Sequence, residues 1–305
     1  MVATSSLNIH NTANSRPRTD HDTDISSCSI EPPVMERLSI SAPSAATLVG
    51  SALAICLLIV NAKSLPLAHS FRLLPSLYRL LQPRLFSSTK NGGAAPPTSS
   101  PATPTIAAAR TTLFKHHVTS SRAVPFDLDV NMHKSNSTFF ADADINRAEL
   151  LTRQLSKGLA AAGGAMPLLA AVQCNFKREI APFQAYDMSS RLLAWDERSL
   201  FIVTYFLKSG VRLSADVDVA GGPAAVLADQ SLKRGVYAVM VTRYVCKAGR
   251  ATVAPAAVLE AAGLLVPGKG VQVAEKGEHG AGLMVAGDVG VAVKSGLQYV
   301  GGCMT

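Results

Sequence analysis

Several things are scarce in this 305-residue chain, and each scarcity removes a class of answer. Cysteine occurs only at Cys28, Cys56, Cys174, Cys246 and Cys303, an odd and scattered set with no Cys-x-x-Cys pair and no zinc spacing. Free thiols in a reducing compartment are therefore expected, not a disulfide framework or a structural zinc. Aromatic residues make up 6% of the chain, and the net charge of +8 is not gathered into a dense Lys/Arg block. Nucleic acid is accordingly not an expected partner, and a membrane surface or an anionic ligand suits the charge better. There is no Gly-x-Ser-x-Gly, which argues against an α/β-hydrolase serine. There is no P-loop, and Gly280-Ala281-Gly282 followed by Gly287 misses the dinucleotide fingerprint. His116 and His117 lack carboxylate or cysteine companions at ligand spacing, so neither a metal nor an organic cofactor is expected.

The residues that are present sort into five stretches. Residues 1–44 are rich in Ser, Thr, Asn and Pro, and too poor in large apolar side chains to offset the entropy of ordering, so disorder is expected. Residues 45–62, AATLVGSALAICLLIVNA, are almost wholly apolar within an uncharged run that starts at Leu38. Read with that run, the stretch suits a single membrane-anchor helix better than a cleaved signal, which lies nearer the start behind a basic region, or a buried soluble helix. Lys63, Arg72, Arg79 and Arg84 follow closely while only Arg37 precedes closely, which places the folded part on the cytosolic side of an endoplasmic reticulum or other endomembrane. Residues 63–110 comprise Leu65 to Phe86, apolar residues and Arg at helical intervals interrupted by Pro75 and Pro83, and then a Gly/Pro/Ser/Thr linker. The helical part reads as lying in the membrane interface, with covering of the folded domain as the alternative.

Residues 111–266 hold the pattern of one ordinary domain. Thr111 to Val124 predicts a strand or extended arm, and Ser137 to Leu159 predicts a long helix capped by Asn136 or Ser137. Phe139, Phe140, Ile145, Leu150, Leu151 and Leu155 form its apolar face, with Asp142, Asp144, Arg147 and Arg153 on the other. The period then changes to that of strands at Leu168 to Ile180, Tyr186 to Asp196, Ser199 to Lys208 and Gly235 to Lys247, with Asp196-Glu197-Arg198 a tight connection. Val211 to Arg234 reads as a Gly/Ala-rich insertion and Pro255 to Leu265 as a short closing helix. This order predicts an α+β fold, an antiparallel sheet packed on one helix. Residues 267–305 contain ten glycines and are expected to be flexible, with at most a short strand at Gly287 to Val293.

The segment richest in chemistry is Pro125 to Asn136, just ahead of the long helix. In an extended run, Asp129, Asn131 and His133 share one face. A carboxylate can serve as base or nucleophile, an amide can orient it or a water, and an imidazole can supply a proton. The backbone N–H groups around Asn136 and Ser137 can polarise a bound carbonyl, which makes these two the candidate substrate-binding residues. The competing reading makes Asp129 and Asn131 turn and capping residues and His133 a satisfied histidine at a helix entry. Asp127 reads as structural, and Trp195 as a core or hairpin residue.

These residues resemble a known pattern. Asp129-Val130-Asn131-Met132-His133-Lys134-Ser135-Asn136 is similar to the Asp-x-Asn-x-His-x-x-Asn motif of plant fatty acyl-carrier-protein thioesterases, a hotdog-fold family. A longer resemblance, to the membrane-tethered thioesterase-superfamily member 6 group and especially its fungal-type members, rests on five segments in order. They are Lys63-Ser64-Leu65-Pro66, Thr119 to Arg122, His133 to Thr138, Leu192 to Arg198, and Arg243 to Arg250. The resemblance implies a hotdog fold, an antiparallel sheet wrapped around a long central helix and normally paired into a homodimer. It also implies hydrolysis of acyl-CoA or a related thioester, with Asp129, Asn131 and His133 on the motif positions. The group includes members of uncertain activity, so a catalytically inactive acyl-binding or scaffolding protein at the membrane stands as the alternative.

Overall fold

The computed structural model describes residues 44–86, 112–213, 215–265 and 287–304. The expected disorder of residues 1–43, the linker at 87–111 and the stretch 266–286 lie outside the described residues. By its contacts the chain divides into Met1–Leu48 and Val49–Thr305.

The helix at the centre is α3, Asn136–Ala161; the helices before it are α1, Ala45–Val60, and α2, Ala68–Phe86. Strand β1, His117–Arg122, precedes α3, and β2, Met166–Phe176, β3, Ala185–Trp195, and β4, Ser199–Lys208, follow it. Then come helices α4, Ala215–Ala228, and α5, Gln230–Lys233, strands β5, Val236–Ala248, and β6, Ala251–Val253, and helices α6, Pro255–Ala261, and α7, Gly287–Met304. The six strands form one antiparallel sheet in the order β1-β3-β4-β5-β2, with β6 on β5. This is the α+β architecture, an antiparallel sheet packed on one long helix, that the order of apolar periods implied.

Helix α3 packs its apolar stripe on the sheet. Phe139 meets Phe206 at 4.7 Å and Phe176 at 5.2 Å between ring centres, while Leu150, Leu151, Leu155 and Leu159 join the larger core under β3 to β5. Gly158 sits where α6 crosses, and a Cβ there would come 2.0 Å from the Val258 carbonyl oxygen. A glycine inside this helix is thus a condition of close helix packing. Strand β4 is buried from Ser199 to Leu207: α7 lies along its neighbour β3, and α4 packs on α7 and reaches Tyr205 of β4 through Asp218, which suits its nearly unbroken apolar sequence.

Three expectations need correction, and the insertion gains a structure. The stretch Gly287 to Val293 is not a strand but the start of the 18-residue helix α7, which buries Ala292, Val293 and Val300. Gly296 lets α7 lie on β3, where a Cβ would be 2.8 Å from the Leu193 carbonyl oxygen. The insertion at 211–234 contains two helices, α4 broken at Gly222 and Pro223, and α5, capped by Asp229 through the Ser231 and Leu232 amides. Helix α2 runs through Pro75 and Pro83 and packs along α3, with Leu80 against the core, so the alternative of covering the domain is the one observed. Finally, Asp142 and Arg147 lie inside, 5% and 0% exposed, and not on a solvent face.

For the anchor, the finding is narrower than the expectation. None of α1's 16 residues is buried, but about 1.5 Å per residue gives it roughly 24 Å against a hydrocarbon core of about 30 Å. Among the described residues no helix is long and apolar enough to cross a membrane.

Candidate functional site

The chain reaches the head of α3 through a one-turn 3-10 helix at Pro125–Asp127 and a closed turn. Leu128 and Lys134 form an antiparallel bridge, and the Asp129 amide donates to the His133 carbonyl at 2.9 Å. The residues between them fold back, with the Met132 amide on the Asp129 carbonyl at 3.0 Å and Met132 at φ 60°. The extended run expected here is therefore absent. Asp129, Asn131 and His133 share one turn, not one face of a strand.

Within that turn Asp129 and Asn131 are exposed and His133 is half-buried. Oδ1 of Asp129 accepts from the backbone N–H of Asn131 at 2.9 Å and of His133 at 3.4 Å. Such a carboxylate closes its own turn, as aspartates commonly do. The His133 imidazole Nε2 lies 3.0 Å from Glu179 Oε2, on the neighbouring loop. The residue before α3 is Ser135, so Asn136 and Ser137 are exposed members of the first turn and not the cap. No side chain caps that end of the 26-residue helix. Its leading N–H groups and the positive end of its dipole remain directed at whatever approaches.

Beneath the turn lies a charged floor that the sequence reading missed. Asp127, 4% exposed, takes Ser64 Oγ at 2.6 Å and the Val124 amide at 3.3 Å, and lies 2.5 Å from Lys63 Nζ and 3.5 Å from Lys134 Nζ. Lys134, itself 3% exposed, bonds Asp142 at 2.8 Å and Thr138 at 2.9 Å. The Tyr186 hydroxyl also donates to Asp142, and Lys63 reaches Tyr186 at 3.2 Å and Ser121 at 3.2 Å. Two buried aspartates thus face two lysines, with Arg72 3.7 Å from Asp142 at the rim. Burial lowers the Lys134 pKa even though Asp142 pulls it upward. Burial works to raise Asp142, but Lys134 and Lys63 together outweigh it and hold the carboxyl below its ordinary value. Tyr186 is pushed far up by burial and by the Asp142 charge, so it stays a hydrogen-bond donor. These carboxylates are saturated with donors, and their role is to fix the turn and the helix head above them. Asp127 is structural, as its sequence context suggested. The available signal for the rest was the presence of Lys63-Ser64 and His133-Lys134 in the segments of resemblance; Asp142 gave none.

A second set of groups has the outline of a nucleophile, base and acid. Ser189 Oγ is 2.8 Å from His116 Nδ1, and His116 Nε2 is 3.1 Å from Asp218 Oδ2. Ser189, however, is 3% exposed, and Asp218 is already bound by Arg191 and by Tyr205. A hydroxyl sealed in the sheet cannot reach a substrate, so this set is a buried bracing network. Of the two sets, the turn above the charged floor is the one that combines exposed reactive groups with an uncapped helix terminus.

The chain's relatives bear on what such a site does. Residues 124–261 match the model of the thioesterase-like superfamily. The chain is 39% identical over 202 residues to the thioesterase poxG of Penicillium oxalicum, covering 61% of this chain and 65% of that protein. It is 34% identical over 241 residues to the probable thioesterase atnL of Emericella nidulans, covering 72% and 74%. It is also 28% identical over 96 residues to the protein THEM6 of Xenopus laevis, covering 31% and 46%. The chain thus spans just under two thirds of the Penicillium oxalicum protein.

Proposed function

We infer, from the premise that this chain belongs to the thioesterase-like superfamily, that it hydrolyses an acyl thioester such as an acyl-CoA at the head of α3. The observation that carries the inference is an exposed turn bearing Asp129 that leads through the Leu128–Lys134 bridge into the uncapped N-terminus of α3, with Lys134 anchored below it on Asp127 and Asp142. In this reading Asp129 takes a proton from water as the water oxygen attacks the thioester carbonyl carbon, and Asn131 orients the pair. The N–H groups around Asn136 and Ser137 receive the developing oxyanion. Collapse breaks the C–S bond, His133, steadied by Glu179, gives a proton to the departing thiolate, and the proton held by Asp129 passes through solvent to His133, which restores both groups. Water and thioester become acid and thiol without a metal or organic cofactor. Direct attack by Asp129, through an anhydride that water then opens, uses the same groups.

One observation favours a second reading. Asp129 Oδ1 already accepts two backbone bonds, which is what a turn-closing residue does in a catalytically inactive acyl-binding or scaffolding protein. Thiol release from acyl-CoAs of several chain lengths by the intact chain, beside Asp129→Ala and His133→Ala, separates the two. Removal of a general base or acid is expected to cost about 10²- to 10⁴-fold. Equal rates for all three proteins would sink the proposed site, and no release by the wild type would favour the scaffold.

The proposal extends to setting. The apolar, fully exposed α1 supports attachment to a membrane, with the folded domain on the cytosolic side of an endomembrane. Strand β2 is the last of the main sheet order, 11 residues long, with Leu168 and Leu169 about half exposed. Such an edge seeks a strand, and pairing with β2 of a second copy would make the homodimer.

A further inference from the structure

Among the described residues only three other than glycine have a positive φ, and all three carry a large apolar side chain into solvent: Leu67, Met132 and Phe183, at 65°, 60° and 59°. They are 68%, 61% and 52% exposed. A left-handed backbone is costly for such residues, and an apolar side chain in water gains nothing in return. The surface beside them repeats the theme, with Phe126 at 51% and Val130 at 97% exposed.

These five residues come from three neighbouring segments at one end of the domain. The Phe126 amide donates to Asn61 Oδ1 at 2.7 Å, and Ser64 bonds Asp127 at 2.6 Å, which ties the start of the Leu67 segment to the turn. The Lys134 amide donates to the Ile180 carbonyl at 2.9 Å, and the Phe183 amide to the Ala123 carbonyl at 2.8 Å, which brings up the third segment. Asn61 directly follows α1, where every residue from Val49 to Val60 is exposed and none is charged. The apolar rim is therefore continuous with an apolar helix. Charged and polar groups on the same end include Asp129, Glu179 with His133 on it, the exposed Arg178, and the exposed Arg122, whose guanidinium donates to the Phe183 carbonyl at 2.8 Å.

We propose that this rim is a lipid-docking surface. Leu67, Phe126, Val130, Met132 and Phe183 enter the acyl boundary of a bilayer, while Arg122 stays at headgroup level. The occupant is a bilayer and not a protein groove because the rim runs on into α1, which offers apolar side chains on all sides and no polar face for a partner to read. The geometry also says why the backbone is strained there: the left-handed residues aim side chains outward that a relaxed loop would fold away. The turn carrying Asp129 would then sit at the lipid-water boundary. The inference extends the membrane reading above from α1 to the loops of the site.

The chain's single tryptophan, Trp195, is 4% exposed inside the sheet and supplies an internal control. Full-length Val130→Trp and, separately, Met132→Trp are mixed with phosphatidylcholine and phosphatidylserine vesicles whose acyl chains are brominated, and flotation reports binding. The expected result is co-flotation of all three proteins, strong quenching of the added tryptophan in both variants, and unchanged emission from wild-type Trp195. Co-flotation without quenching of either variant would overturn the rim while leaving attachment by α1 standing. Failure of the wild type to float would overturn both. Neither readout depends on thioester hydrolysis, so a wild type that releases no thiol leaves this test intact.

Discussion

Two buried charge networks attach peripheral segments to the same sheet, one of them also to α3, and they are built differently. At the head of α3, Lys63 arrives from outside the matched region to face Asp127 and Asp142, with Lys134 sharing the load and Arg72 at the rim. At the other network, Asp218 arrives on the inserted helix α4 as the one carboxylate for Arg191, with Tyr205 and His116 completing its bonds. The first has redundant cations and lies at an open turn, whereas the second has one anion and is sealed. Redundancy makes a floor that tolerates adjustment. A single counter-charge makes a lock, and buried pairs of either kind favour one docking geometry more than they add net stability.

The sharpest way to break this comparison is Asp218→Ala. Arg191 is 1% exposed, and without its carboxylate it is left as an uncompensated buried cation. The expected loss is about 3–5 kcal/mol by urea unfolding. Lys63→Met should cost less, roughly 2–3 kcal/mol, because Lys134 still faces both aspartates and the Lys63 side chain is 16% exposed. A larger loss for Lys63→Met than for Asp218→Ala would reverse the assignment of floor and lock. The same reasoning predicts that a fragment beginning near residue 111 is destabilised, since it leaves two buried carboxylates to one lysine.

How much of this was legible in the sequence follows from where each partner lies. Helix α3 was readable because its apolar residues recur at helical spacing, and strands β3 to β5 because runs of β-branched, aromatic and other apolar residues, buried almost without interruption, are bounded by turn residues. Helix α7 was not, because its glycines lower helix propensity, and its order comes from packing Ala292, Val293 and Val300 against elements distant in sequence. Asp142 and Arg147 looked like solvent-face residues for a related reason. Asp142 is buried by a lysine 79 residues earlier, and Arg147 by Thr242, 95 residues later. The chemical types and spacing of Asp129, Asn131 and His133 are local and so visible in the sequence, but the expected extended run is a closed turn, because the positive φ at Met132 leaves no mark in the pattern.

The acid limb of stability should separate the two networks by a smaller margin. Asp218 and Asp142 both have folded pKa values below the roughly 3.9 of an unfolded aspartate. Burial opposes this in each, and is outweighed by His116 and Arg191 around Asp218 and by the two lysines around Asp142. A depressed carboxylate stabilises the fold fully above its unfolded pKa and gives that up as pH falls through the folded value. The carboxylate contribution to the urea midpoints should therefore be constant above about pH 5 and decline below about pH 4, while His117, whose pKa burial lowers, adds a separate decline as pH falls below about 6.5. Asp142→Asn should remove part of the carboxylate decline, and Asp218→Asn more of it because Asp218 is the more deeply depressed. An Asp142→Asn profile parallel to wild type would mean that the floor does not carry its charge in the folded state.

The smallest effect on stability should come from the residue expected to matter most for chemistry. Asp129 lies on the surface, and its carboxylate closes the turn through the Asn131 and His133 amides, so Asp129→Ala removes two exposed hydrogen bonds worth about 1 kcal/mol or less together. The floor of Asp127, Lys134 and Asp142 is untouched and continues to hold Leu128 against Lys134. If Asp129 is the base or nucleophile, hydrolysis falls by orders of magnitude while the unfolding curve barely moves. If it is only a turn residue, the two measurements shift by comparably small amounts, and the fraction of activity lost will match the fraction of protein destabilised. Asp129→Asn sharpens the distinction, because the amide oxygen still accepts the turn's backbone bonds yet cannot take a proton from water. Retained stability with lost thiol release in that variant assigns Asp129 to the reaction, and retained activity assigns it to the turn.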